Sequence, residues 1–124
     1  MKPLSPSASM ILRHLVTLLP KVVPGEPQTY TGYKEVHVAL GWEKHGLDWG
    51  DSLKRYGLVE LADWMQERGL PALTGIVVNQ ESFSPGGGFF KMHDRDPFDF
   101  DWWKSEIARA KAFDWFDRWL KGRG

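Results

Sequence analysis

The 124-residue chain contains no cysteine. That excludes thiol nucleophiles, disulfides and thiolate metal ligation, and fits a reducing, cytoplasmic setting. No segment reaches the roughly 18–20 consecutive apolar residues needed to cross a bilayer, so no membrane association is expected. The apolar run in residues 1–20 is broken by Arg13 and His14 and has no small-residue cleavage site, so a signal peptide is not expected either. Charge of one sign is also missing: sixteen acidic and sixteen basic side chains leave a formal net charge of zero. Nucleic-acid binders draw most of their non-specific affinity from a basic excess. A neutral chain must therefore place its cations on one face if it binds nucleic acid at all.

Catalytic signatures are scarce. No Gly-x-Ser-x-Gly elbow occurs, and Gly86-Gly87-Gly88 lacks the Gly-Lys-Ser/Thr ending of a phosphate loop. The acidic stretch His93, Asp94, Asp96, Asp99, Asp101 matches no metal-ligand spacing. It reads as a solvated loop whose acids precede a helix N-terminus. A metal-dependent nuclease using His93, Asp94 and Asp96 is the least favoured function, and no cofactor is expected. His37 and His45 form no metal pair.

What the chain does have is a 42% hydrophobic fraction with seven tryptophans, seven phenylalanines and three tyrosines, enough to build one domain over residues 1–124. Ile11, Leu12, Leu15, Leu18 and Leu19 follow helical spacing behind the caps Ser5 to Ser9, which predicts a helix over 6–19 closed by Pro20. Gln28 to Tyr30 reads as a short extended piece. Further helices are expected at 31–40, ended by Gly41, at 50–56, ended by Gly57, at 58–68, ended by Gly69, and at 101–120. Leu70-Pro71 leads into the β-branched run Ile76-Val77-Val78. With the turn at Asn79 to Ser84 and the glycine-rich return to Phe89-Phe90, it predicts a β-hairpin wing over 72–92. The expected class is α+β: a small winged helix-turn-helix-like domain with a long C-terminal aromatic helix.

On that plan, Tyr30, Lys34, Lys44, Lys54, Arg55 and Lys91 are the candidate contacts to duplex DNA. The turn and third helix would approach the major groove while the wing meets the backbone. Trp42, Trp49 and Tyr56 interleave with these cations, either to stack on bases or to pack behind the helix. Glu43, Asp48 and Asp51 lie among them and oppose phosphate. In the last helix, Trp103, Ile107, Ala110, Phe113 and Leu120 form one stripe, and Ala108, Ala112, Trp115 and Trp119 a second. Both stripes face a core, or Trp115 and Trp119 form a surface for a protein partner or a homodimer. The alternative function is therefore a protein-binding module or inhibitor.

In order of motifs, Val23-Pro24-Gly25, Thr29-Tyr30, Ala39-Leu40-Gly41, Gly50 with Leu53, and Leu70-Pro71 through Val77-Val78-Asn79 resemble the winged-helix domain of DNA alkyltransferases and their alkyltransferase-like relatives. The likeness spans residues 22 to 90. It implies a winged fold and a non-enzymatic hold on DNA, because Leu73-Thr74-Gly75-Ile76 stands where that family carries its reactive Cys-His-Arg. Lys44 is the nearest counterpart of the basic residue with which those proteins enter the duplex. Leu-Pro-x-Leu-Thr, Val-Val-Asn and Pro-Gly-x-Gly-Phe also resemble small bacterial or phage domains without an assigned activity, which suggests a regulatory or defence-associated role.

Overall fold

A computed structural model describes residues 3–85 and 87–115. Six α-helices occur among the described residues: α1 Pro6–Leu18, α2 Tyr33–Leu40, α3 Trp49–Tyr56, α4 Leu58–Glu67, α5 Gly87–Met92 and α6 Phe100–Ala112. Short 3-10 turns lie at Leu19–Lys21, Pro27–Thr29 and Leu73–Ile76. Two strands, β1 (Thr31–Gly32) and β2 (Val77–Val78), complete an α+β fold.

Local chemistry accounts for the helix boundaries. The Ser5 side chain accepts from the Ala8 N–H and caps α1, and Pro6 occupies its first position, where no N–H is needed. Ser5 is itself held by Glu60 of α4, through its backbone N–H and its hydroxyl, both at 2.7 Å. Ile11, Leu15, Leu53, Leu61, Ile76 and Ile107 are fully buried where α1, α3, α4, α6 and the 73–76 turn meet.

The 72–92 region departs from a hairpin wing. β2 pairs parallel with β1, Thr31 opposite Val77 and Gly32 opposite Val78. The preceding residues form a 3-10 turn, and the glycine-rich return is helix α5. The antiparallel pairing that remains is a single bridge between Asn79 and Ser84, around a tight loop in which Asn79 Oδ1 accepts from the Glu81 N–H. The physical reason lies in burial. Ile76, Val77 and Val78 are all buried, and a strand covered on both faces suits parallel pairing beneath helices. A parallel partner needs a long crossover, which α2, α3 and α4 provide. Phe90, fully buried, reaches the core from a helical return.

Two further boundaries differ. Thr31-Gly32 is strand rather than the first turn of α2. Helix α6 ends at Ala112, where Phe113 turns to extended backbone, so the expected helix is interrupted there, and residues 116–120 of it lie outside the described residues. Ala108 and Ala112 are exposed, so the second expected stripe does not form a buried helix face.

Gly57 joins α3 to α4 with no other linking residue. Its φ is +129°, and an added Cβ would lie 2.9 Å from Cβ of the fully buried Ala8. Gly41, at φ +70°, has open space around the same position. Gly57→Ala should therefore cost about 2–4 kcal/mol, from backbone strain and displacement of α1. Gly41→Ala should cost about 1 kcal/mol from backbone strain alone. Urea denaturation of the two variants checks this, and equal losses would show that α1 does not press on Gly57.

Candidate nucleic-acid interface

The α2–α3 face is built around a histidine. His37, on the inner side of α2, has no exposed surface, and neither ring nitrogen has a hydrogen-bond partner. Aromatic rings surround it: Trp49 at 5.2 Å, Tyr56 at 5.3 Å and Trp42 at 6.4 Å between centroids, each steeply inclined. Trp42 stacks on Tyr56 at 4.4 Å with the planes 12° apart. The loop between the helices is fastened to α3 twice. The Tyr56 hydroxyl donates to the Glu43 carbonyl, and the His45 N–H donates to the buried Ser52 hydroxyl. Trp42 and Tyr56 therefore pack behind the helix against His37 instead of presenting a stacking surface.

Trp49, half-buried like Trp42 and Tyr56, also meets cations. Lys44 Nζ lies 4.9 Å from its ring centroid and Lys34 Nζ 5.9 Å, so one indole draws together cations from α2 and from the loop. Lys54 and Arg55 are exposed on α3, Lys54 at 4.0 Å from Asp51 in a solvent-facing pair of little energetic weight. Beside Lys34 and Trp49 an open groove of about 440 Å³ runs between the start of α3 and the 79–84 loop. The α3 N-terminus does not serve that groove as an anion site. Asp48 accepts from the Gly50 and Asp51 N–H groups and already occupies the helix dipole. Glu35, Asp48 and Glu81 also line the groove.

Of the six candidate contacts, the structure gathers Lys34 and Lys44 and places Lys54 and Arg55 on the neighbouring helix. Lys91 is exposed on α5, whose Phe89 and Phe90 pack on α6. Tyr30 belongs to the core. Its ring meets Trp103 edge-on at 5.6 Å, its hydroxyl accepts from the Gly25 N–H, and burial raises its pKa above the ordinary 10.0. Trp115 is likewise buried. Its indole N–H donates to the Ala110 carbonyl, one of the carbonyls left without a partner at the end of α6, so the ring closes the helix and is unavailable to a partner. Trp119 lies outside the described residues.

The acidic stretch is occupied structurally. Asp96 accepts from the Phe98 N–H, Asp99 caps α6 through the Trp102 N–H, and Arg95 pairs with Asp99 above the Trp102 ring. His93 Nδ1 lies 2.9 Å from the Phe89 carbonyl. Among the described residues no three His, Asp or Glu side chains converge as metal ligands, and no helix is long and apolar enough to cross a membrane. Comparison with protein-family models, curated proteins and solved structures finds no match.

Sequence reasoning did not anticipate the His37 cage. One signal was present: Trp42, Trp49 and Tyr56 recur every seven residues around a region broken by two glycines.

Tyr30 generates a pH prediction. The folded state holds its phenol proton more tightly than the unfolded chain, so the stability Tyr30 contributes is intact below pH 10.0 and is lost as the pH rises through the elevated folded value. Tyr30→Phe should cost about 1 kcal/mol near neutrality, by removing the acceptor of the Gly25 N–H, and should flatten the loss above pH 10.0. Denaturation at a series of alkaline pH values compares the two proteins, and parallel curves would contradict the burial of this phenol.

Proposed function

We propose that the chain is a non-enzymatic nucleic-acid-binding domain that holds the phosphate backbone of duplex DNA across its α2–α3 face. The observation that carries this reading is the pairing of Lys34 and Lys44 over one Trp49 ring, with Lys54 and Arg55 exposed on the same helix pair. Phosphate contacts position a protein without reading sequence. Four cations with Asp48, Asp51 and Glu43 among them suit modest, salt-sensitive binding. The eight residues 41–48 between α2 and α3 exceed the 3–4-residue turn of a helix-turn-helix, so major-groove insertion of α3 is not part of the proposal.

A second reading has its own observation. Phe98 and Phe100 are 78% and 50% exposed and lie along a groove of about 530 Å³ beside Phe90 and Tyr33. Paired exposed rings suit a protein partner or a second copy of the chain.

Fluorescence anisotropy with a labelled duplex, titrated at several salt concentrations, tests the first reading. Four phosphate contacts would give a log–log salt slope of at most about −3.6, and Lys34→Ala with Lys44→Ala should halve it to about −1.8. Absence of binding at roughly 100 μM protein in low salt would remove the DNA reading. Self-association lost in Phe98→Ser would then favour the second.

A further inference from the structure

A separate, mostly apolar cavity of about 260 Å³ opens between α4, β2 and α5. Leu58, Val59 and Ala62 of α4 form one wall, and Val77, Phe89 and Met92 form the other. Tyr33 and Lys54 also line it, and among the described residues Lys54 is its one charged lining group. Thr74, almost fully buried, adds a hydroxyl-bearing side chain to the wall. The space is open to solvent on one side and walled mainly by apolar side chains on the other.

The lining specifies its occupant. A volume of about 260 Å³ suits a small, largely apolar molecule. A cation would be repelled by the Lys54 ammonium, whereas an anion would be drawn to it. A dianionic or strongly hydrated group would have to shed water against an otherwise uncharged wall. The combination suits one anionic head beside a short apolar body. Lys54 lines the pocket with its side chain about half exposed, and its 4.0 Å approach to the exposed Asp51 is weak enough to be exchanged.

We infer that this cavity binds a small amphipathic monocarboxylate, its apolar chain between α4 and α5 and its carboxylate paired with Lys54. The proposal does not rest on the nucleic-acid reading, although Lys54 belongs to both and Tyr33 also lines the groove beside Lys34. No bond is made or broken, since the cavity offers no nucleophile with an adjacent base.

Sodium octanoate is the probe, titrated below its micelle concentration into full-length protein carrying ¹³C-labelled methyl groups. Saturable shifts confined to the Met92, Val59, Val77 and Leu58 methyls are expected. Lys54→Met keeps the stem and removes the charge, and should weaken octanoate about two- to fivefold while leaving 1-octanol unaffected. Val59→Trp, at a position 41% exposed and therefore tolerant of a larger ring, should obstruct both ligands. Shifts that fail to saturate or that scatter over the surface would overturn the site. Equal binding of octanol and octanoate to the unmodified protein, or octanoate binding indifferent to Lys54→Met, would overturn the carboxylate assignment.

Discussion

Two side chains one turn apart on α6 hold the segment on which the other elements are registered. The Trp103 indole donates to the Gly75 carbonyl at 2.9 Å, and the buried Glu106 carboxylate accepts from the Ala72 N–H while paired with Arg109 at 2.6 Å. Together they fix the 3-10 turn that delivers Val77 to β1. At Gly75 a side chain would come within 2.8 Å of the Phe89 ring and 3.0 Å of the Trp103 nitrogen, so α5 and α6 close on this turn only because no Cβ is there. From that anchor the dependence runs outward: β2 pairs with β1, β1 leads directly into α2, and α2 carries His37 and Lys34 to the cage around Trp49. The candidate interface is thus set by hydrogen bonds on the opposite side of the sequence.

The helical half of this scheme is written locally. Ser5, Asp48 and Asp99 cap helices, and Gly41 and Gly57 end them with positive φ, so short-range chemistry places these boundaries within one or two residues. The segment after Leu70 follows a different rule. Ile76-Val77-Val78 has no alternation, which is the signature of a strand buried on both faces, whereas a wing would alternate. Its partner, Thr31-Gly32, lies more than forty residues earlier and is only two residues long, one of them glycine. No local pattern could pair them. The glycines of the return are compatible with a turn or a helix start, and what decides between them is the burial of Phe90 against Trp103, a tertiary contact.

The same division explains which site residues were legible. Lys34, Lys44, Lys54 and Arg55 are long, charged and on helix or loop surfaces, and composition alone predicts their exposure. Tyr30 and Trp115 carry one polar atom each on a large ring, and either fate was open to them. The structure decides it through a single backbone partner for each: the Gly25 N–H for Tyr30 and the Ala110 carbonyl for Trp115. With that hydrogen bond satisfied inside, burial of the ring becomes favourable.

His37 is the exception to that accounting, and the reason the α2–α3 face is ordered. A buried polar group without a partner costs about 1–3 kcal/mol, and both of its nitrogens are in that position. The compensation is the aromatic enclosure itself. Edge-to-face contacts at 5–7 Å contribute about 0.5–1.5 kcal/mol each beyond the area they bury, and three such rings surround the imidazole. The enclosure thus offsets part of that cost. Trp49 is held from the inner side by His37 and overlaid by Lys34 and Lys44. In this fold the outer cation pair and the inner imidazole share one tryptophan, so the packing of Trp49 is set from the core side by His37 and from the surface side by Lys34 and Lys44.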